Sequence, residues 1–175
     1  MRTFEGKIIH ILGAIIHGHK SPLVKLALAP AHHKNKVRIA AQTINADVYL
    51  EQILKGSLVK AVIWAHHQGL EPLVLEDGAG PHRIAGFARV RRDLGISNLK
   101  HPGCSPDLNV IENCWDYVKD RIRRMTDKPS SEAEIRESIQ KHWNAIPQDL
   151  IDGWNDGMED RRLKVVAAKG LHIKA

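Results

Sequence analysis

Cysteine is scarce in this chain of 175 residues: there are two, Cys104 and Cys114. Two cysteines cannot staple a disulfide scaffold, so a packed core must hold the fold, and a reducing compartment is expected. Long apolar runs are missing too. The longest, residues 8–16, is broken by His10 and falls far short of the ~20 residues that cross a bilayer. Arg2 and Lys7 ahead of it imitate the start of a signal peptide. His17-Gly18-His19-Lys20 then stands where a cleavage site would need small residues, so no leader is expected. There is no internal repeat and no low-complexity linker. None of the eleven histidines and two cysteines falls into C-x-x-C or H-x-x-x-H spacing backed by a partner pair, which speaks against zinc.

What is present is ordinary globular material. Hydrophobic residues make up 43%, and 26 Lys+Arg are mixed with 20 Asp+Glu, which argues for one folded domain over residues 1–175 with a real core. The net charge of +6 suits a polyanionic partner, as it suits many proteins with other tasks.

The patterning predicts an α/β domain with a helical finish. Residues 8–16 read as a strand buried on both faces, His17-Gly18-His19-Lys20 as a turn, and residues 22–26 as the returning strand of a hairpin. The polar stretch 30–36 reads as a loop. Asn45 caps a helix with Asp47 in its first turn, and Val48, Ile53 or Leu54, Leu58, Val62 and Trp64 give it an imperfect apolar face. A strand over 72–77, a helix from Pro81 to about Leu94 and a strand over 96–99 bring this part to about residue 100. A helical part spans 107–167. Leu108, Ile111, Trp115, Val118 and Ile122 form one stripe, and Ile135, Ile139, Trp143 and Ile146 the next, which Pro147 ends. Leu150, Ile151, Trp154 and Met158 mark a last helix before a basic tail to 175.

Two carboxylates stand out. Asp77 ends an apolar strand and precedes Gly78-Ala79-Gly80-Pro81-His82; ligands gather at the carboxyl ends of strands in open α/β sheets. Asp-Gly also simply starts turns. Glu112 falls about a right angle from the centre of the buried stripe of its helix, where a carboxylate can reach a cleft or merely meet solvent. Ser105 and Asp107 read as structural, Ser-Pro-Asp supplying the N-cap of that helix. Carboxylates from two elements are what magnesium or manganese requires, with remaining ligands from water and substrate phosphates. A metal pair about 3.5–4 Å apart serves phosphodiester chemistry.

The wording around the two acids carries a resemblance. Ser105-Pro106-Asp107-Leu108-Asn109-Val110-Ile111-Glu112-Asn113-Cys114-Trp115 resembles the S-P-D-L-N-P-I-E-N-x-W signature of mariner-like transposases, of the DDE superfamily. Only Val110, in place of proline, departs from it. Glu76-Asp77-Gly78-Ala79-Gly80-Pro81-His82 resembles their D-x-A-P-x-H segment, with Gly80 for proline and the proline one place later. Leu12-Gly13-Ala14-Ile15 matches their W-G-A-I strand, and Trp143 with Ile146-Pro147 their W-x-x-I-P, so the likeness covers most of residues 8–147.

The resemblance implies an RNase H-like mixed sheet flanked by helices, and a metal-dependent DNA endonuclease and strand-transferase acting in DNA transposition and integration. Magnesium (or manganese) would be held by two aspartates and a glutamate, of which the second aspartate maps to Asp77 and the glutamate to Glu112. It also implies double-stranded DNA, transposon ends and target, as partner, the nucleus as the place of action, no membrane, and room for a homodimer. His82 keeps the family's place near substrate phosphate, although a helix-start histidine reads the same way. Lys119 and Arg123, with Arg89, Arg91, Arg92, Arg121 and Arg124, are candidates for gripping DNA backbone, or are solvated helix faces. The first aspartate has no counterpart. Only residues 1–7 precede the hairpin, their one acid is Glu5, and a strand of about five or six residues with its turn does not fit there. Asp47 belongs to a helix. The family's helix-turn-helix region has no counterpart either. A domain without its first strand is therefore expected, impaired or inactive alone; the alternative is a non-catalytic DNA-binding or structural remnant.

Overall fold

The isoleucine-rich opening pairs with the segment after it in two short antiparallel pieces. In the computed structural model, which describes residues 9–28, 32–34, 37–39, 44–76, 84, 86–100, 105–171 and 173, β1 (Ile11–Leu12) pairs with β4 (Val24–Lys25), and β2 (Ile15–Ile16) with β3 (His19–Lys20). Between the pieces Ser21 engages Ala14: its N–H donates to the Ala14 carbonyl at 2.8 Å, and its hydroxyl accepts the Ala14 N–H at 2.9 Å. A serine side chain thus replaces a ladder partner, and the expected strand over 8–16 becomes two half-buried pieces. The His17-Gly18 turn joins β2 to β3, with Gly18 at φ 76°, a region glycine enters freely.

The architecture is mixed α/β, and the chain divides into two compact units. The mixed unit comprises residues 10–12 and 24–100 as described. In it, β5 (His32–Lys34) and β6 (Val37–Ile39) pair antiparallel where a polar loop was expected over 30–36. The β-branched Val37 and Ile39 lie just past the polar stretch and supply the second strand.

Asn45 caps the long helix that follows, its side chain accepting the Val48 N–H at 3.0 Å. After α1 (Ala46–Val48) the coil widens over Tyr49–Leu58 to π-helical spacing, as when the Val59 N–H reaches the Leu54 carbonyl, and then tightens into α2 (Val59–His67). A wide coil explains the imperfect apolar face. Val48, Ile53 and Leu58 step by five, which suits i→i+5 bonding and not an ordinary α-helix. Next, β7 (Leu73–Val74) and β8 (Ser97–Asn98) pair in parallel, with α3 (Phe87–Asp93) in the crossover that a parallel pair requires. Tyr49 and Leu54 are fully buried at the centre of this unit's core, with Leu26, Ile53, Val62, Phe87 and Ile96.

The helical unit comprises, of the described residues, 9, 13–23, 105–171 and 173. The helix expected from Asp107 starts later: Pro106–Leu108 is a single 3₁₀ turn, Asn109 is extended, and α4 runs Ile111–Arg123. Ser105 makes no side-chain capping bond to that turn. After α4 come α5 (Glu132–Asn144), α6 (Gln148–Asp156) and α7 (Met158–Ala167), so the expected last helix is two, parted at Gly157. Trp143 is the largest fully buried side chain. It stacks on Trp115 with centroids 4.9 Å apart and donates its indole N–H to the Ser21 carbonyl at 2.9 Å. Gly13 must be glycine for the same reason, since a Cβ there would sit 2.8 Å from two Trp143 ring carbons.

The described strands form four two-stranded pairings, three antiparallel and one parallel.

Candidate active site

Glu112 is the second residue of α4, in the first turn, where a carboxylate is favoured by the helix dipole. The backbone leading to it is well determined. Val110 is 8% exposed and has φ −58°, close to the ~−65° that proline would fix, so the one departure from the family signature leaves the chain's course unchanged. Cys114 and Val118 are buried, with Ile111 and Trp115 packed against the same core, which holds the helix down. Two further ties flank the glutamate. Asp107, 7% exposed, accepts the Ile173 N–H at 3.0 Å, and Asn113 accepts from Arg161 Nη1 at 2.8 Å. Asp107 is structural, as expected, and one of its ties runs to the C-terminal segment.

The Glu112 side chain itself is half-buried, and among the described residues its carboxylate has no hydrogen-bond or ion-pair partner. Lys119 and Arg123 follow seven and eleven residues later, which returns both to within about 20° of the Glu112 direction on a helix of 3.6 residues per turn. One stripe of α4 thus carries a carboxylate at its start and two exposed cations reaching about 16 Å along it. Lys119 is 3.1 Å from Asp116, an exposed pair that holds the ammonium only weakly. Arg121 lies off the stripe, 4.9 Å from the Tyr117 ring centroid, and Arg124 pairs with Asp120 at 2.9 Å.

Asp77 and His82 lie outside the described residues, as does Cys104; the structure therefore carries no test of whether Asp77 and Glu112 converge. The residue before Asp77 is described. Glu76 accepts from the Tyr49 hydroxyl on one carboxylate oxygen, and on the other from Arg91 Nη2 at 3.2 Å and Asn98 Nδ2 at 2.9 Å. Arg91 Nη2 also donates to the Tyr49 hydroxyl at 2.8 Å, and its guanidinium lies 5.7 Å from that ring's centroid. Burial, with the Glu76 hydrogen bond next, pushes the Tyr49 phenol above its ordinary range. Arg91, counted above among cations that could grip DNA, is turned inward with its side chain 11% exposed, and serves this cluster instead. Sequence reasoning missed Glu76. The available signal was an acid closing an apolar strand, since a buried carboxylate needs partners, but nothing local names them.

Among the described residues no group of three His, Cys, Asp or Glu side chains is placed to hold a metal, and no helix is long and apolar enough to cross a membrane.

Comparison with known proteins bears on the same residues. A family model described as DDE superfamily endonuclease matches residues 26–136, which include Asp77, Glu112, Lys119 and Arg123. The Tcb2 transposase of Caenorhabditis briggsae is 37% identical over 88 residues, 50% of this chain and 30% of that protein. The Tc3 transposase of Caenorhabditis elegans is 29% identical over 140 residues, 80% of this chain and 42% of that protein. The Tcb1 transposase of Caenorhabditis briggsae is 26% identical over 133 residues, covering 75% and 46%. The chain therefore spans less than half the length of these relatives. With the family match covering more than half of its residues, the chain belongs to the DDE superfamily endonucleases and is related to transposases.

Proposed function

We propose that this chain carries catalytic-core chemistry of a DNA transposase: divalent-metal-dependent cleavage and transfer of DNA strands on an RNase H-like scaffold, acting on nuclear double-stranded DNA. The observation that carries it is the half-buried Glu112 carboxylate, unpaired among the described residues and standing at the head of a stripe with Lys119 and Arg123. A hard oxygen donor with no hydrogen-bond or ion-pair partner among the described residues suits magnesium or manganese. Asp77 and Glu112 are the residues that would hold the ion. Bound there, it would polarise a phosphodiester and favour ionisation of the attacking oxygen. The chain's own part is to position: α4 fixes Glu112 by its buried face, and Lys119 and Arg123 lie along the same helix face to meet backbone phosphates. Such contacts are largely blind to sequence and weaken steeply with salt.

The test is nicking of labelled duplex DNA with manganese or magnesium, alongside binding followed by anisotropy. Any nicking by the 175-residue chain, impaired as expected, should be abolished in both Asp77→Asn and Glu112→Gln. Nicking that survives both substitutions would overturn the assignment. Salt-sensitive DNA binding with no nicking at all would favour the non-catalytic remnant.

A further inference from the structure

Glu112 stands in the part of α4 that is weakest by construction. Its own N–H donates to the Asn109 carbonyl and that of Asn113 to the Val110 carbonyl, both at 3.1 Å. Each bond reaches three residues back, the tighter 3₁₀ spacing with its poorer hydrogen-bond geometry. Val110, at the N-cap, brings an apolar side chain and makes no side-chain capping bond. Helix ends of this kind fray ahead of the turns behind them. Two ties reach this end from the last part of the chain. Arg161, near the start of α7, donates from Nη1 to Asn113 Oδ1 at 2.8 Å, and the Ile173 N–H donates to Asp107 Oδ2 at 3.0 Å. α7 also packs against the 3₁₀ turn at Pro106–Leu108. The anchored residues, Asp107 and Asn113, lie on either side of Glu112 in the chain. The Arg161 bond is partly buried and charge-assisted, which makes it stronger than a neutral one. It holds the turn from the flank, about 100° round the helix from the Glu112 direction.

We infer that Arg161 is a positioning residue for Glu112: through its bond to Asn113, α7 fixes the first turn of α4 and with it the place of the Glu112 carboxylate. The inference rests on the function proposed above, in which Glu112 holds a divalent ion. It adds a residue that lies beyond the matched stretch 26–136. Side chains of such a site must be held to within about 0.5 Å of their productive geometry. Loss of the residues that orient a metal ligand typically costs about 10–100-fold in affinity.

Manganese alone is the probe, added to the 175-residue chain, with free Mn2+ followed by electron paramagnetic resonance well below the unfolding temperature of every variant. Glu112→Gln reports whether the site depends on this carboxylate. Arg161→Met keeps the stem and removes the donors, Asn113→Ala removes the acceptor, and the double variant closes the cycle. Ile151→Val trims the core of the same unit and controls for destabilisation. Each single variant is expected to weaken manganese binding by about 10-fold, and the double variant no more than either, because both remove one bond. Ile151→Val should bind as the parent does. Amide exchange over residues 109–116 should speed up in the same three variants. If Glu112→Gln loses the ion while Arg161→Met and Asn113→Ala bind as the parent does, the positioning role is overturned and the proposed function stands. Losses that add in the double variant would overturn it as well, since the two side chains would then act apart from their bond. So would an equal loss in Ile151→Val, which would make the effect one of general stability. If the parent does not bind manganese, or binds it equally well as Glu112→Gln, the proposed function and this inference fall together.

Discussion

In the helical unit the largest fully buried side chain is Trp143, packed in an apolar cluster, and its indole N–H meets a backbone carbonyl. In the mixed unit it is Tyr49, whose hydroxyl sits in a cluster of opposite charges. The helical unit has a buried-side cation too, but Lys20 is spent on the backbone. Its ammonium donates to the carbonyls of Trp143, Asn144 and Ile146 at 2.7, 3.1 and 2.7 Å, a cation placed where the α5 carbonyls end. Both units tie segments distant in sequence, but one does so with a single cation on backbone carbonyls and the other with paired charged side chains.

Truncation of the two cores should give the largest effects and expose that difference. Trp143→Ala is expected to cost about 3–5 kcal/mol by urea unfolding, as large aromatic deletions do. It should cost more than Leu54→Ala, expected at about 2–5 kcal/mol, because it also strands the Ser21 carbonyl. Equal losses would mean that the indole hydrogen bond contributes nothing and that the two cores are energetically alike.

Alkaline titration separates the units by chemistry. Burial pushes the Cys114 thiol from 9.0 up to about 11, partly opposed by the nearby Lys20 ammonium. Between pH 9 and 11 the unfolded chain gives up that proton and the folded chain keeps it, so stability falls as pH rises. The loss should approach roughly 2–3 kcal/mol, at about 1.4 kcal/mol per pH unit. Cys114→Ala should flatten the helical unit's share of this decline. Tyr49 is raised as well, by burial and its bond to Glu76, so the same logic applies above pH 10 and Tyr49→Phe should flatten that part. Absorbance at 295 nm would follow the tyrosinate, and hydrogen exchange in α5 against α2 would locate each loss. A decline untouched by either substitution would mean that neither burial is real in solution.

How far the sequence could be read follows the same division. The stripes in α4 and α5 obey one period and declare themselves, because each helix buries a face against its neighbours in the chain. α4 starts four residues later than the wording predicts, since Ser-Pro-Asp leads into a 3₁₀ turn whose acid also accepts the Ile173 N–H sixty-six residues away. The paired strands over 32–39 were hidden by their polar first half. Glu112 was identified through the wording around it, and its helix could be foreseen. The Glu76 cluster could not, because its partners at 49, 91 and 98 come from three different elements and follow no local period. Asp77 and His82 were legible as motif and lie outside the described residues.

The smallest expected effect lies at the start of α5. Ser131 accepts the Glu134 N–H at 3.1 Å, and the Glu134 carboxylate accepts the N–H groups of Ser130 and Ser131 at 2.7 and 3.2 Å, a reciprocal capping box. These backbone donors favour the ionised carboxylate and hold its pKa below the usual 4.5. The contribution is thus complete above the unfolded value and disappears as pH falls through the lower, folded one. Ser131→Ala should cost about 1 kcal/mol at neutral pH by urea unfolding. Acidification should shrink the difference between parent and variant, because a protonated Glu134 no longer completes the box. Exchange protection should drop first in the opening turn of α5, well before the turn that Lys20 closes, since each end of this helix is finished by its own side chain. A loss spread evenly along α5 would mean that its two ends are not independently capped and that the helix frays as one block.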